Sequence, residues 1–408
     1  MARNHVIAGL DIGTSSIKAI AVARDPETNA LEVMGQVNTP VFGVRRGVVF
    51  KIDQVSKSIS DALSQLQAQT GYRIEDVYTN IGGSHIFSTP SHGTVVVSRA
   101  DQKISEEDVN RVIQASQAFS LPSNREILDI FPREFIVDGQ GNIKEPYDMQ
   151  GLRLEVDVLA LCAFSPFLKN LTSAILSAGF QIQDVIPSAL ASSRSILTPQ
   201  QKELGVCLVD IGAGTTDMAV YEEGDLVHAA VFPVGSERIT NDLAIGLKTD
   251  VELAEQIKKE FGSCIWTGGR KKEKVELPKE EGNGDVLVFS HKMLVKIIEA
   301  RVCEIFDQVQ KELKRTPLKG PLPAGIVLTG GGAKLPKIVE LAKKELKLPV
   351  RMGKVQGLGG IEDDSLWSTA SGLVLSAADL DDEGGSSMPH ISSGMAKKIK
   401  RIFQNFIP

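Results

Sequence analysis

Apolar residues gather in short runs that read as buried strands. One run enters Asp11 and another leaves Lys18 through Ala19-Ile20-Ala21-Val22. About two hundred residues on, a second pair brackets Asp210 and Asp217 and leaves through Met218-Ala219-Val220-Tyr221. Each pair predicts a β-hairpin with small residues at its turn. A third run, Ile326-Val327-Leu328-Thr329, passes into Gly330-Gly331-Gly332 and Ala333-Lys334-Leu335-Pro336, which predicts a buried strand, a glycine turn and a helix start. Between the first hairpin and Cys162 the pattern predicts strands near 77–81, 94–97, 126–137 and 152–163. Ser105-Glu106-Glu107-Asp108 ahead of Val109, Val112 and Ile113 predicts a helix over about 105–120, its acids at the favourable N-terminal turn.

At the end of the chain the period becomes helical. Met395, Ile399, Ile402, Phe403, Phe406 and Ile407 fall at offsets 0, 4, 7, 8, 11 and 12, which is one helix face. Lys397, Lys398, Lys400 and Arg401 lie toward the other face, with no acid among them. Such a helix either packs on the protein's own core or lies in a membrane interface. The polar stretch before it, rich in Asp, Gly and Ser, suits a flexible tether and favours the membrane. Four basic residues near an anionic leaflet contribute roughly 1 kcal/mol each. Burial of the apolar side chains adds at most about 1.5–3 kcal/mol apiece, so one copy binds reversibly and a row of copies far more tightly.

The two hairpins carry the candidate chemistry. In DIGTSSIK (Asp11 to Lys18) and DIGAGTTD (Asp210 to Asp217), an acid ends a strand and glycine and hydroxyl residues form the turn. Backbone N–H groups there can approach an anion and Lys18 can add a point charge, which favours a phosphate. Asp11 and Asp210 would then hold Mg²⁺ through water. A single such turn is an ordinary hairpin; two at domain-scale separation predict related halves closing on one ligand.

Composition narrows the classes. A chain of 408 residues, 42% hydrophobic, supports two or three domains. The net charge of −6 argues against general nucleic-acid binding. Cys162, Cys207, Cys264 and Cys303 show no metal spacing and read as reduced core thiols. No apolar run is long enough to span a bilayer, and no signal peptide is expected, so the protein is placed on the cytoplasmic face of the membrane. Residues 263–285, with Gly268-Gly269 and Arg270-Lys271-Lys272, read as a surface loop.

In order along the chain, residues 11–18, 210–217 and 326–336 resemble the phosphate-1, phosphate-2 and adenosine segments of the actin-like ATPases. Ile186-Pro187-Ser188-Ala189-Leu190-Ala191-Ser192 and Trp367-Ser368-Thr369-Ala370-Ser371-Gly372-Leu373-Val374 resemble the two connecting helices. With the basic tail, and a short segment before Cys162 in place of the usual actin subdomain, the chain resembles the FtsA family of bacterial cell-division proteins. The resemblance implies an α/β, actin-like (ribonuclease H-like) duplicated two-lobe fold with an inserted subdomain. Its divisions would be 1–83 and 163–198 with part of 365–379 (subdomain 1A), 84–162 (1C), 199–231 and 320–364 (2A), 232–319 (2B), a linker at 380–393 and the membrane helix at 394–408.

It also implies ATP with Mg²⁺ as cofactors, held by Asp11, Gly13, Thr14, Ser15, Ser16, Lys18, Asp210, Gly212, Ala213, Gly214, Thr215 and Gly235, with Gly330, Gly331, Gly332 and Leu335 on the adenosine side. Glu255 and Lys258 would reach the ribose and adenine, although an acid and a base three apart are also ordinary on a solvated helix. Implied partners are the FtsZ C-terminal peptide on subdomain 2B, with Arg301, Lys292 and Lys296 as candidates for its acids, further copies of the chain in a filament, anionic lipid, and later divisome proteins. MreB-like relatives place a glutamate directly before the proline of the first connecting helix, where this chain has Ile186. Asp217 is then the tentative water-orienting catalytic residue, or a turn residue, and hydrolysis is expected to be slow. The alternatives are a PilM-like pilus scaffold and an actin-fold small-molecule kinase.

Overall fold

A computed structural model describes residues 6–25, 30–119, 121–268, 274–278 and 286–383. Strand β1 (Val6–Ile12) turns into β2 (Ser16–Arg24), followed by β3 (Leu31–Pro40), a small hairpin of β4 (Val44–Arg45) and β5 (Val48–Val49), helix α1 (Ile52–Thr70) and β6 (Asp76–Ile81). An insert then contributes β7 (Phe87–Val96), α2 (Glu106–Ser116), β8 (Arg125–Val137), β9 (Gln140–Ile143) and β10 (Arg153–Phe164). The first lobe resumes with α3 (Ser165–Ser177), β11 (Gln181–Pro187), α4 (Ser188–Ile196) and the short α5 (Pro199–Leu204). The second lobe runs through β12 (Val206–Ile211), β13 (Thr216–Glu222), β14 (Asp225–Phe232), α6 (Glu237–Leu247), α7 (Val251–Phe261), β15 (Lys274–Pro278), β16 (Val286–Ser290) and α8 (His291–Leu313). It closes with β17 (Ile326–Thr329), α9 (Ile338–Leu346), β18 (Val350–Met352) and α10 (Asp364–Glu383).

The duplication extends from the turns to whole sheets. The first sheet has the order β11-β6-β1-β2-β3, and β18-β17-β12-β13-β14 repeats it in the second lobe. In both, the central strand pairs parallel on one side and antiparallel on the other. These strands lack polar alternation because both faces are covered. On β2, Ala19 and Ala21 join the core that includes α1, while Ile20 and Val22 pack against Trp367, Ala370 and Val374 of α10. Cys207, Val209, Met218 and Val220 enter the second lobe's core with Ile298, Ile305 and Phe306 of α8.

The insert has its own core, in which Val109, Val112 and Ile113 of α2 cover β7, β8 and β10. Gly93 lets α2 sit directly on β7, because a Cβ there would lie 2.3 Å from the Val112 carbonyl oxygen. Ser105 caps α2 in a reciprocal box with Asp108, and the helix ends at Ser116, four residues short of the predicted limit. One ladder pair, Ala230 with Phe87, joins the insert's sheet to β14, giving a sheet of nine strands. Where the sequence reads as loop, 274–278 pairs with 286–290 as an antiparallel ribbon, its short alternation masked by the charges around it. Helix α10 runs to Glu383, into the segment read as a linker. The predicted membrane helix, Met395 to Ile407, lies outside the described residues.

Candidate nucleotide site

The two acidic turns have the same local geometry. In the first, Gly13 N donates to Ser16 O at 3.1 Å, and in the second Gly212 N donates to Thr215 O at 2.9 Å. The register sets Asp11 opposite Lys18 and Asp210 opposite Asp217. The turns come from different lobes and touch: a Cβ on Gly214 would lie 2.5 Å from Thr14 Oγ1. Gly47 N, at the tip of the β4–β5 hairpin, donates to the same Thr14 Oγ1 at 3.0 Å. Behind the second turn, Ser236 N and Glu237 N donate to the Gly212 and Ala213 carbonyls at 2.9 Å each, and Gly235 allows that approach.

Three carboxylates face this junction. Asp11 accepts from Asn80 Nδ2 at 2.8 Å and from Lys18 Nζ at 3.0 Å, so Lys18 is already engaged with the acid across the hairpin. Asn80 Oδ1 in turn accepts from Ile12 N at 2.7 Å, which fixes the amide. Asp210 accepts from Ser192 Oγ at 2.7 Å and Thr369 Oγ1 at 3.5 Å, one hydroxyl from each connecting helix. Burial, with Asp11 adding to it, pushes Asp210 up to about 6. Burial together with the charges of Asp210 and Asp11 pushes Asp217 up to about 8. Asp217 Oδ2 accepts from Thr215 Oγ1 at 3.0 Å, but its buried Oδ1 has no hydrogen-bond partner among the described residues. Such a cluster is short of positive charge and suits a divalent cation. Among the described residues no three His, Cys, Asp or Glu side chains are placed to ligate an ion directly.

The residues expected on the adenosine side lie in the second lobe. Gly330, at φ 87, brings its backbone against Asp210, where a Cβ would lie 2.3 Å from Oδ1. Gly331–Lys334 form a 3₁₀ turn rather than a direct α-helical start, and α9 begins only after left-handed Lys337. Leu335 is buried and its side chain belongs to the second lobe's core. Glu255 and Lys258 are not a solvated pair. Lys258 is only 7% exposed, bonded to Glu255 at 2.6 Å, Thr240 Oγ1 at 2.8 Å and Ser236 O at 3.3 Å. Burial lowers the Lys258 ammonium; it opposes the Glu255 charge too, but hydrogen bonds from Lys258 and Thr240 outweigh it and lower that carboxyl. The pair therefore joins α7 to Thr240 of α6 and to Ser236, the residue after Gly235.

Comparison with known proteins follows the same division of the chain. Residues 207–372 match the family model "Cell division protein FtsA", and 83–162 match "SHS2 domain inserted in FTSA". Cell division protein FtsA of Pseudomonas aeruginosa is 36% identical, covering 91% of this chain and 88% of the relative. That of Bacillus subtilis is 35% identical over 92% of this chain and 84% of its own length. The chain belongs to the FtsA family. Solved structures with the same fold include the PilM–PilN type IV pilus biogenesis complex, at 17% identity and a TM-score of 0.63 over 91% of this chain and 98% of that one. MreB5 of Spiroplasma citri bound to ADP gives 14% identity and a TM-score of 0.57 over 94% and 99%. The fold is therefore the actin-like, duplicated two-lobe α/β fold, with the insert that FtsA carries.

Asn80, Ser188 and the two hydroxyls on Asp210 are the polar partners that sequence reasoning did not assign in this FtsA-family chain. Ser188 Oγ accepts from Asn80 Nδ2 at 3.0 Å and so ties α4 to the first acid. The available signal was positional: Asn80 lies near the end of the strand beside β1, and Ser192 and Thr369 sit on the segments that resemble connecting helices. A separate cavity of about 470 Å³ lies at the seam between insert and second lobe, lined by His92, Lys144, Asp157, Glu223, Asp225 and Lys319 among others. Several of its charges are paired with one another, Lys144 with Asp225, Lys319 with Glu223 and His92 with Asp157.

Proposed function

We propose that this FtsA-family chain binds ATP with Mg²⁺ between its lobes, assembles into filaments, and holds FtsZ filaments against the inner membrane. The observation that carries the nucleotide reading is the contact of Thr14 with Gly214, which brings two phosphate-type turns and three carboxylates to one junction. Asp11 and Asp210 would hold the hydrated ion, which when bound offsets the charge of the phosphates. The turn N–H groups and Lys18 contact phosphate oxygens, with Lys18 exchanging part of its pairing to Asp11. Glu255, Lys258 and the Gly330–Gly332 turn receive the adenosine. Asp217, with one oxygen unpaired, is the group available to orient water.

FtsZ docking is assigned to the second lobe's outer helices. Lys292 and Lys296 are exposed on α8 with Met293 (45% exposed), and Ile245 at the end of α6 is 77% exposed, so basic and apolar groups share that surface. Arg301 is engaged with Asp242 at 2.7 Å and with Glu304, and supports this surface more than it offers a free charge. Later divisome proteins are assigned to the insert. Among the described residues no helix is long and apolar enough to cross a membrane. Membrane attachment is assigned to residues 394–408.

The test is electron microscopy of the protein on an anionic lipid monolayer with ATP and Mg²⁺. The full chain is expected to form membrane-bound filaments. Removal of 394–408 is expected to abolish membrane attachment while nucleotide binding persists. Full-length protein that binds no nucleotide, or a truncated chain that still coats the monolayer, would overturn the corresponding half of the proposal.

A further inference from the structure

The β4–β5 hairpin turns on two residues, Arg46 and Gly47, between the pairs Val44–Val49 and Arg45–Val48. Their φ angles are 50 and 75 degrees, both left-handed, as a two-residue turn of the I′ kind requires. Asparagine, aspartate or glycine suits the first of these positions, and arginine there is held against its backbone preference. A side chain kept at such a position is a reason to look for what it serves.

The turn is pressed between both lobes. A Cβ on Gly214 would lie 3.0 Å from Arg46 Cα and 2.5 Å from Thr14 Oγ1, so Arg46 sits where the two phosphate turns meet. Gly47 fits against the Gly83 amide, where a Cβ would come within 2.7 Å of the nitrogen. Three lysines near the crevice are already engaged, Lys18 with Asp11, Lys258 with Glu255, and Lys334 with Asp363. Arg46 is partly buried, and its side chain has no hydrogen bond or ion pair to any described residue.

We infer that Arg46 contacts the terminal phosphate of the bound nucleotide and so distinguishes a nucleoside triphosphate from a diphosphate. This rests on the nucleotide reading above. The base and ribose are assigned to the second lobe around Gly330 and Glu255, so the phosphate chain runs toward the Thr14–Gly214 contact and its far end meets Arg46. A guanidinium suits that role because it donates in a fixed fork to phosphate oxygens. The hairpin would also link occupancy of the terminal position to the first lobe through Thr14.

The test is equilibrium titration of the full chain with a non-hydrolysable ATP analogue and with ADP, both with Mg²⁺. Arg46→Asn removes the guanidinium while asparagine tolerates the left-handed turn. It is expected to weaken the triphosphate about tenfold, as for one lost charge-assisted hydrogen bond, with ADP unchanged. Arg45→Asn, one residue away and exposed, is expected to change neither. Arg46→Lys keeps the charge and is expected to recover part of the loss; if Arg46→Asn unfolds, the lysine variant decides by the same triphosphate-to-diphosphate comparison. Equal loss for both nucleotides, or no loss for the triphosphate, would overturn the assignment. Wild-type protein that binds neither nucleotide would instead overturn the nucleotide reading.

Discussion

Ile186 lies on β11, directly before its last residue Pro187, and has no group to polarise water. With Asp11 and Asp210 assigned to the ion and Asp217 the third acid at the junction, Mg²⁺-dependent phosphate release on vesicles should be slow. Ile186→Glu should raise it by up to about 10²-fold, the lower end of what a positioned base contributes. Robust wild-type turnover lost in Asp217→Asn would contradict this. A second residue-scale prediction concerns Asp129 on β8, which burial, with the Asp184 charge adding, pushes up to about 7. Between about pH 4 and 7 the folded chain binds this proton more tightly than the unfolded one, so stability falls as pH rises across that window and levels off above it. Asp129→Asn should remove that slope and raise stability at pH 8 by about 2 kcal/mol, read from thermal unfolding between pH 5 and 8. Neither Asn80 nor the burial of Lys258 was legible in the sequence. Asn80 acts through β1, sixty-nine residues away from it in the chain at Asp11, and Lys258 follows an acid at a spacing that surface helices share.

At the scale of elements, α4 and α10 cross through small side chains. Ala191, Ser192 and Ser195 meet Ser368, Thr369 and Gly372, and Ser195 Oγ donates to Ser368 O at 2.6 Å. A Cβ on Gly372 would lie 1.7 Å from the Ala191 carbonyl oxygen. Gly372→Ala should therefore force the helices apart and destabilise the protein by about 3 kcal/mol, measured by denaturant unfolding. Nucleotide affinity should fall with it, because Ser192 and Thr369 would leave Asp210. Among the insert's strands β8 and β10 were legible, at Arg125–Val137 and Arg153–Phe164, within a residue of their apolar patterns at 126–137 and 152–163; β7, at Phe87–Val96, starts seven residues before its expected 94–97. The β4–β5 hairpin and β15–β16 ribbon were not legible, since runs of two to five residues carry too little periodicity to separate strand from loop.

At the scale of the molecule, one ladder pair joins the insert to the second lobe, supported by Ser88 Oγ bonded to His228 Nδ1 and the Ala229 carbonyl at 3.1 Å each. The ends of β8 and β10 reach the first lobe's core through Leu128, Leu159, Leu161 and Ala163, but with a second core of its own around α2 the insert should exchange the amide hydrogens of that part as a separate cooperative unit. Adding Mg²⁺ and nucleotide should protect β1, β12 and their turns while leaving β8 and β10 unchanged; equal protection everywhere would contradict that division. The two-lobe plan was readable because each sheet order is repeated and each repeat begins with the same acidic turn. The seam was not, because its partners come from distant segments whose strands look alike singly. Helix α10 places Thr369 at Asp210 and, ten residues on, Asp379 in a bidentate pair with Arg194 at 2.6 and 2.7 Å. Those two points are about 15 Å apart on one continuous rod. A pull applied at Glu383 would therefore reach, through that rod, the hydroxyl that Thr369 gives to Asp210, so load at one end and the second acidic turn at the other would act on the same helix.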